Sequence, residues 1–459
     1  MKKCRAYEEY MTSLTEQLHD ARAKRFVTVE IENHIEEQAE YYESCGMNPE
    51  EAIIEAVHQM GNPIETGVEL NRIHRPKTPF VMLGLIVIMM LSAIVMQAII
   101  FATGGNALSS WATLPKTIVY NLVGFCIILV LLYCDYNFIA KYAYWMYGAY
   151  ILGLPVLRVL VYLFRGVGSV TPSVAFYGVQ MLVPIIFAGI VYRYRKQGLD
   201  GAARCLALGI FSVIWSSLIL GGSGIDYKYS AVVETFLSIA LILVIAFAKN
   251  IFGMTKRNYV IVFGIGAAVL VTGIGVAIFC VFGGGPRHYL GMRILNAFTG
   301  NEVGYMNLLL RKSIANAEWI GGQNFLLGEP NSESYNLFVL NSVFTYFGKL
   351  AGVIVIAVYV GFLLIALKMS LKQSNRIGML VGSACTVSIF VRLVAYIACN
   401  LGFGIWWTTL VPFLSYGRVS AVMNGIYMGL ILCVYRNSRI LSEEKIEEKP
   451  MKRIRIVVE

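Results

Sequence analysis

Charged side chains are concentrated in one polar segment, residues 284–336, which lies between hydrophobic stretches deep in the chain. Its cations include Arg287, Arg293, Arg311 and Lys312, and Glu333 is one of its carboxylates. Guanidinium groups bind anions through paired hydrogen bonds, and a carboxylate can accept a proton from a reacting group. Any chemistry is therefore expected in this segment, and the rest of the chain is expected to be the frame that presents it.

Three further charges stand inside hydrophobic stretches: Arg158, Glu234 and Arg392. Each would cost several kcal/mol if it faced lipid, so each is expected to face the interior of a helix bundle or water. In a functional interpretation they line a substrate cavity, with Glu234 paired to one of the arginines. In a structural interpretation they form an interior ion pair or reach the membrane boundary. The sequence leaves both interpretations open.

The composition predicts an all-α polytopic membrane protein. Of its residues 57% are hydrophobic and 14% are charged, whereas soluble domains average about 45–50% and about 25%. The net charge of +10 is typical of basic cytoplasmic loops and of attraction to anionic lipid, so nucleic acid is not an expected partner. Most of the nine cysteines lie in or beside apolar stretches and none forms a CxxC pair, so no metal and no cofactor are expected.

Hydrophobic stretches long enough to span about 30 Å of hydrocarbon, at about 20 residues each, define the predicted topology. Ten are present: 79–102, 116–134, 138–164, 174–192, 203–221, 230–248, 258–282, 337–367, 378–400 and 419–435. Lys and Arg on the short loops fall on one side, which predicts that this side and both termini are cytoplasmic and that the loop 284–336 is external. The predicted division is a cytoplasmic helical domain (1–78), a transmembrane domain (79–440) and a charged cytoplasmic tail (441–459).

The first 78 residues predict three or four short helices. Apolar residues recur four apart at Tyr10, Leu14 and Leu18 and again at Ile31, Ile35 and Ala39. Asn48-Pro49-Glu50-Glu51 is typical of a helix start, with an asparagine oxygen as the cap and proline in the first turn. One apolar face follows at Ile53, Ile54, Val57 and Met60. Gly61-Asn62-Pro63 is expected to end that helix.

Three motifs in this domain, Gly46–Ala52, Met60–Pro63 and His74–Lys77, resemble the permease prefix domain that precedes various bacterial membrane proteins. The resemblance covers about the first 78 residues. It implies a cytoplasmic regulatory or docking module without known chemistry.

The last third of the chain carries motifs of a second known family. Residues 292–298 read Met-Arg-Ile-Leu-Asn-Ala-Phe, and Gly304-Tyr305, Ser313-Ile314-Ala315 and Gly321-Gly322 follow. Residues 410–417 read Leu-Val-Pro-Phe-Leu-Ser-Tyr-Gly, after Asn400 and Gly402 in an Asn-x-Gly arrangement. Over roughly residues 79–435 the chain resembles the shape, elongation, division and sporulation family (FtsW, RodA and SpoVE).

This resemblance implies a peptidoglycan glycosyltransferase with ten spans that polymerises undecaprenyl-linked lipid II, together with a class B penicillin-binding protein as partner. It implies that Arg287, Arg293, Arg311 and Lys312 contact the diphosphate, that Ser415 and Tyr416 contact substrate, and that Glu234 and Arg392 line the cavity. Arg293 also matches the family motif. The alternative for the loop cations is ordinary solvated or head-group-associated charge.

The chain departs from the family at the catalytic carboxylate. Aligned on Phe347-Gly348, residues 335–340 stand where the family has His-Thr-Asp-Phe-Ile-Phe, and Leu337 takes the place of the catalytic Asp. Leucine cannot accept a proton. Either a neighbouring acid substitutes, and Glu333 is the nearest in the sequence, or the chain does not polymerise glycan by the route of the family.

Three functions remain possible from the sequence. The chain could be a lipid II glycosyltransferase that uses Glu333 as a displaced base. It could instead be a non-catalytic scaffold or precursor binder that regulates an envelope partner such as the transpeptidase. A transporter of lipid-linked precursor is the third.

Overall fold

A computed structural model describes residues 4–74, 79–103, 113–163, 172–219, 225–255, 257–258, 305–322, 338–403 and 418–438. The elements are α1 Arg5–Glu16, α2 Ala21–Ser44, α3 Pro49–Gln59, α4 Pro63–His74, α5 Phe80–Thr103, α6 Thr113–Leu132, α7 Asn137–Lys141, α8 Ala143–Leu163, α9 Pro172–Met181, α10 Val183–Arg193, α11 Gly198–Ile219, α12 Ile225–Ala248, α13 Tyr305–Asn316, α14 Val339–Phe347, α15 Lys349–Leu371, α16 Arg376–Ala398, a π-helical segment Cys399–Phe403 and α17 Arg418–Arg436. Every regular element in these ranges is helical, so the predicted all-α class is confirmed.

Eight helices in the described ranges are long and apolar enough to cross a membrane, and Tyr177–Arg193 is a shorter apolar stretch. Together these correspond to nine of the predicted spans. The predicted span 258–282 lies outside the described residues, as does the predicted tail 441–459. The protein is therefore an integral membrane protein.

The predicted span 337–367 is not one continuous helix. The stretch 337–367 was expected to be a single helix, but it breaks at Gly348 into α14 and α15. Gly348 has φ 94° and ψ 166°. Glycine adopts this backbone conformation without strain, and it differs strongly from that of a helix. Only Lys349–Leu371 is long enough to span the membrane.

Helix α16 lies at the centre of the membrane unit. Of its span window Arg376–Phe403, 89% is buried, against 17% of the window Leu114–Leu132 in α6. It packs against α10, α12 and α15. Helices α5 and α15 expose many Val, Leu and Ile side chains, as expected of a surface that faces lipid tails. A charged side chain on α16 is therefore shielded from lipid by its neighbours.

Helices α1 to α4 pack against one another within one of the two compact units of the chain. The apolar residues predicted to face inwards in α1 and α2 are buried, namely Tyr10, Leu14, Leu18, Ile31, Ile35 and Ala39. Helix α3 begins at Pro49 after Asn48 as predicted, but the Asn48 side chain makes no capping hydrogen bond. Ile54 was expected on the buried face and is instead 50% exposed, because the packed face of α3 centres on Ile53 and Val57.

Candidate functional site

Four of the predicted site residues lie in the described part of the chain, and they fall in two places. Glu234 and Arg392 line one cavity within the spans. Arg311 and Lys312 lie on α13, which belongs to the predicted external loop. The other predicted site residues, Arg287, Arg293, Glu333, Ser415 and Tyr416, lie outside the described residues, as does Leu337. Their roles stay predictions.

The cavity is small, with a volume of about 20 Å³, and is lined from α9, α10, α12, α16 and α17. Its polar side chains include Tyr177, Gln180, Glu234, Ser388, Arg392 and Tyr427. Glu234 lies nine residues after the start of α12 and Arg392 six residues before the end of α16. At 1.5 Å per residue these positions are about 14 Å and about 9 Å along the helices from those ends. The cavity therefore lies between the helices, within the lengths of α12 and α16.

Arg392 supplies a positive charge in the lining of the cavity. Its side chain is 3% exposed, and its Nε donates to the carbonyl oxygen of Ser388 at 2.9 Å. The guanidinium carbon lies 4.5 Å from the centroid of the Tyr427 ring, a cation–π contact of about 2 kcal/mol when shielded from water. Nη1 and Nη2 have no hydrogen-bond partner among the described residues. A buried charge with open donors is costly, and an anion would satisfy them.

Glu234 is the carboxylic acid in the lining of the same cavity. It is 6% exposed, and the hydroxyl of Tyr177 donates to its Oε2. Because both terminal nitrogens of Arg392 lack a hydrogen-bond partner in the described part of the chain, a pairing of Glu234 with Arg392 is not made through them. The two charges share one cavity without a direct hydrogen bond through these nitrogens.

A buried polar network extends from the cavity into the bundle. The Nε2 of Gln180 donates to Ser216 Oγ at 3.0 Å and to Thr235 Oγ1 at 3.1 Å. The Tyr150 hydroxyl donates to Gln180 Oε1 at 3.0 Å. Gln180, Tyr177 and Tyr427 were not among the predicted site residues, because within the hydrophobic stretches only charged side chains were taken as a signal. The signal that could have found Gln180 is an amide inside an apolar stretch, which needs buried partners.

Arg158 was expected to face the bundle interior or water, or to reach the membrane boundary, and it does not line the Arg392 cavity. Its side chain is exposed, and its Nη1 donates to the carbonyl oxygen of Ile219, the last residue of α11. Since Arg158 lies only five residues before the end of α8, its long side chain reaches a helix end. Carbonyl groups there carry partial negative charge and attract a cation.

The second place is the junction of α13 with the π-helical segment Cys399–Phe403. Asn341 connects them through its side chain, which accepts from Ser313 Oγ at 3.0 Å and donates to the carbonyl oxygens of Leu310 and Asn400, at 3.2 Å and 3.0 Å. The Asn400 Oδ1 accepts from the Asn341 backbone N at 3.1 Å. All three polar side chains are buried. We call Ser313, Asn341 and Asn400 the asparagine junction.

Gly402 completes the contact between α13 and the π-helical segment. It has φ 78°, and a Cβ at this position would lie 2.6 Å from Arg311 Cγ and 2.7 Å from the Asn307 carbonyl oxygen. The Asn-x-Gly motif at 400–402 thus has a structural explanation: the amide bonds across the junction and glycine allows the close approach.

Arg311 and Lys312 differ in their surroundings. Arg311 Nε donates to the Gly402 carbonyl oxygen at 2.9 Å, and its guanidinium carbon lies 4.4 Å from the centroid of the Phe403 ring. Lys312 is exposed. Part of the Arg311 guanidinium therefore serves to hold α13 against the spans, in addition to any role towards a ligand.

No protein-family model matches the chain, and no curated protein sequence matches it. Among solved structures, the fold is similar to one chain of a peptidoglycan synthase complex studied for the coordination of polymerization and crosslinking. The TM-score is 0.56 at 17% identity, over 77% of this chain and 97% of that one. Two structures of the rod shape determining protein RodA of Thermus thermophilus, one of them a mutant, give TM-scores of 0.46 and 0.47 at 15% identity. They match over 76% of this chain and 95% and 96% of theirs.

At these identities the similarity concerns the fold alone, and the RodA scores are too low to add to it. The match to the synthase chain agrees with the fold implied by the motifs in residues 292–322 and 410–417. The resemblance of residues 1–78 to the prefix domain stays a prediction. The chain thus has the polytopic helical fold of a chain from a peptidoglycan synthase complex.

Proposed function

We propose that this protein functions in bacterial cell-wall biogenesis by binding an undecaprenyl-linked peptidoglycan precursor of the lipid II type. It acts in the cytoplasmic membrane with both termini in the cytoplasm, residues 1–78 as a cytoplasmic helical domain and the loop 284–336 outside. A class B penicillin-binding protein is the proposed partner. The support for this function is the shared fold, the loop motifs and the chemistry of the cavity.

The observation that carries the proposal is the open guanidinium of Arg392. Lipid-linked sugar precursors carry a diphosphate, whose oxygens accept paired hydrogen bonds from guanidinium groups. Within the described residues, Arg392 has two terminal nitrogens without a hydrogen-bond partner, and both lie at the cavity. Arg287, Arg293, Arg311 and Lys312 are proposed to attract the same diphosphate at the external face, with Ser415 and Tyr416 beside it.

Binding of the precursor is tested with fluorescent lipid II and the purified protein in nanodiscs. Arg392→Met should weaken binding at least about tenfold, because a charged hydrogen-bond pair contributes about 1.5–3 kcal/mol. The control is Arg204→Met, the same substitution at an exposed residue that pairs with Asp200 on α11; it should bind as the wild type does. Equal affinity of Arg392→Met and wild type would overturn the assignment of the cavity.

A second candidate function is polymerisation of the precursor, which the shared fold favours. In this function Glu333 replaces the carboxylate that Leu337 lacks and takes the proton from the attacking sugar hydroxyl. Wild-type protein incubated with lipid II should then form glycan chains on a gel. Loss of a positioned general base typically costs about 10²- to 10⁴-fold in rate, so Glu333→Ala should abolish visible product while Glu329→Ala retains it.

The polymerisation assay also separates the alternatives. Product that is unchanged in Glu333→Ala would remove Glu333 as the base. If the wild type bound the precursor without forming glycan product, the remaining functions would be a scaffold or regulator of the transpeptidase, or a precursor transporter.

A further inference from the structure

Three connections between helices meet at one end of the membrane unit, namely the start of α8, the connection from α10 to α11, and the end of α12. The backbone nitrogen of Lys196 donates to the carbonyl oxygen of Ile251 at 3.0 Å, which joins the second to the third. The ring of Tyr144 at the start of α8 lies edge to face against that of Tyr194, with centroids 6.1 Å apart. The three connections therefore form one continuous surface.

Positive charge dominates this surface. Its segments are residues 135–145, 193–204 and 249–252, whose cations are Lys141, Arg193, Arg195, Lys196, Arg204 and Lys249 and whose carboxylates are Asp135 and Asp200. Arg204 pairs with Asp200 at 2.7 Å. We call the other cations, Lys141, Arg193, Arg195, Lys196 and Lys249, the basic patch. Within these segments, Asp135 is the one carboxylate that remains to offset their charge.

Two arginines of the basic patch are held in position by the protein. Arg193 Nε and Nη2 donate to the carbonyl oxygens of Ala140 and Lys141, at 2.8 Å and 2.7 Å. Arg195 Nη1 donates to the carbonyl oxygen of Tyr192 at 3.2 Å, and its guanidinium carbon lies 4.2 Å from the centroid of the Tyr192 ring. A guanidinium group has five N–H donors, so these bonds position each arginine and leave donors for a ligand.

Aromatic side chains place the basic patch at the level of lipid head groups. The span of α8 begins at Ala143, and the aromatic residues around this point are exposed: Tyr142 by 48%, Tyr144 by 47% and Trp145 by 80%. Tyrosine and tryptophan are enriched where a protein passes from hydrocarbon to water. The phosphate groups of the bilayer lie at the same level. The cations of the patch are thus next to lipid phosphates.

We propose that the basic patch binds the phosphate head group of an anionic phospholipid, such as phosphatidylglycerol. Guanidinium groups donate paired hydrogen bonds to phosphate oxygens, and basic clusters at the ends of spans attract anionic lipids. A zwitterionic head group carries its own cation, which the patch repels, so the anionic lipid is preferred. The inference goes beyond the proposed function and does not depend on the substrate. It assigns a lipid site to the predicted cytoplasmic ends of α8, α10, α11 and α12.

The experiment measures how brominated lipids quench the tryptophan fluorescence of the full-length protein in phosphatidylcholine nanodiscs. The nanodiscs contain an equal, small fraction of either brominated phosphatidylglycerol or brominated phosphatidylcholine. In the wild type, brominated phosphatidylglycerol should quench more strongly, because Trp145 lies beside the patch. Trp145→Phe should remove this excess quenching, which would locate the bound lipid at the patch.

A double variant, Arg195→Gln with Lys196→Gln, tests the cations themselves. Each basic side chain near a lipid surface accounts for about fivefold in affinity, so the double variant should bind the anionic lipid about thirtyfold more weakly and lose the excess quenching. The matched control is Lys368→Gln with Lys372→Gln. It removes the same charge from exposed residues at the end of α15 and should keep the excess quenching.

Two results would overturn the inference. One is equal quenching of the wild type by the two brominated lipids. The other is an equal loss of excess quenching in the patch variant and in the control, since general attraction between a basic protein and the membrane would then explain it. The first comparison uses the wild type alone, so the test does not depend on whether the double variant folds.

Discussion

Gly348→Ala is expected to lower the free energy of unfolding of the membrane unit by about 4 kcal/mol. The backbone at Gly348 has φ 94°, where a side chain costs about 1–3 kcal/mol in strain. An added Cβ would also lie 2.7 Å from the carbonyl oxygen of Trp319 and 3.0 Å from the backbone nitrogen of Gly321. Backbone atoms cannot rotate away as a flexible side chain can, and overpacking costs about 1–3 kcal/mol more.

The damage should be local to the segment that follows α13. Three backbone hydrogen bonds hold this segment against the start of α15: Lys349 N to Glu318 O, Leu350 N to Trp319 O and Gly321 N to Phe347 O, at 2.9 Å, 3.1 Å and 3.2 Å. A shift at Gly348 separates their partners. Limited proteolysis should therefore cut near residues 317–322 faster in the variant, and the thermal midpoint in detergent should fall.

Gly361→Ala is the control for this prediction. Gly361 lies inside α15, and an added Cβ would meet no atom within 4 Å. Alanine is favoured over glycine in a helix by about 1 kcal/mol, so the control should be neutral or slightly stabilising. A thermal midpoint of Gly348→Ala equal to that of Gly361→Ala would refute the strain argument.

Asn341→Leu is expected to cost about 3 kcal/mol, although the volume hardly changes. The substitution removes the hydrogen bonds from Asn341 to the carbonyl oxygens of Leu310 and Asn400 and the acceptor for Ser313. Each buried group left without a partner costs about 1–3 kcal/mol. Helix α13 should then detach from the π-helical segment, which hydrogen exchange at residues 305–316 would detect.

The neighbouring residue provides the comparison. Ser342 is equally buried, but its hydroxyl donates to the carbonyl oxygen of Phe338 within the same short stretch. Ser342→Ala should cost less than about 1.5 kcal/mol, the net value of an ordinary hydrogen bond, and leave exchange in α13 unchanged. If both variants increased exchange in α13 equally, the asparagine junction would not be what holds this helix.

Asn341→Leu also bears on the proposed function, because α13 carries Arg311 and Lys312. Displacement of α13 would move the two cations away from the external face of the spans. Precursor binding should then weaken even though Arg392 and Glu234 stay in place. A variant of the asparagine junction that binds as well as wild type would place the affinity in the Arg392 cavity alone.

Hydrophobic length and composition determined most of the fold from the sequence. A stretch of about 20 apolar residues must satisfy its own backbone hydrogen bonds in lipid, and the helix does so locally. This is why the predicted spans correspond to observed helices at 79–102, 203–221 and 230–248. The same locality explains the start of α3 at Pro49, where residue type alone sets the backbone angle.

The site was determined by the sequence only in part. A charge inside an apolar stretch is costly wherever it lies, so Glu234 and Arg392 could be predicted to be shielded. For Arg158 the same rule left the interior, water and the membrane boundary open, and in the structure its long side chain reaches a carbonyl oxygen at a neighbouring helix end. The sequence does not contain the distance to that neighbour.

Contacts between distant segments were decided by the tertiary structure alone. In the sequence Gly348 is one more small residue in a hydrophobic stretch, and its close approach to Trp319 is visible only in the structure. Asn341 and Asn400 are 59 residues apart, and their hydrogen bonds follow from how α14 and the end of α16 pack. The sequence determined which side chains must avoid lipid, because that cost depends on residue type. Packing decided which of them share a cavity, because that depends on positions brought together by the whole bundle.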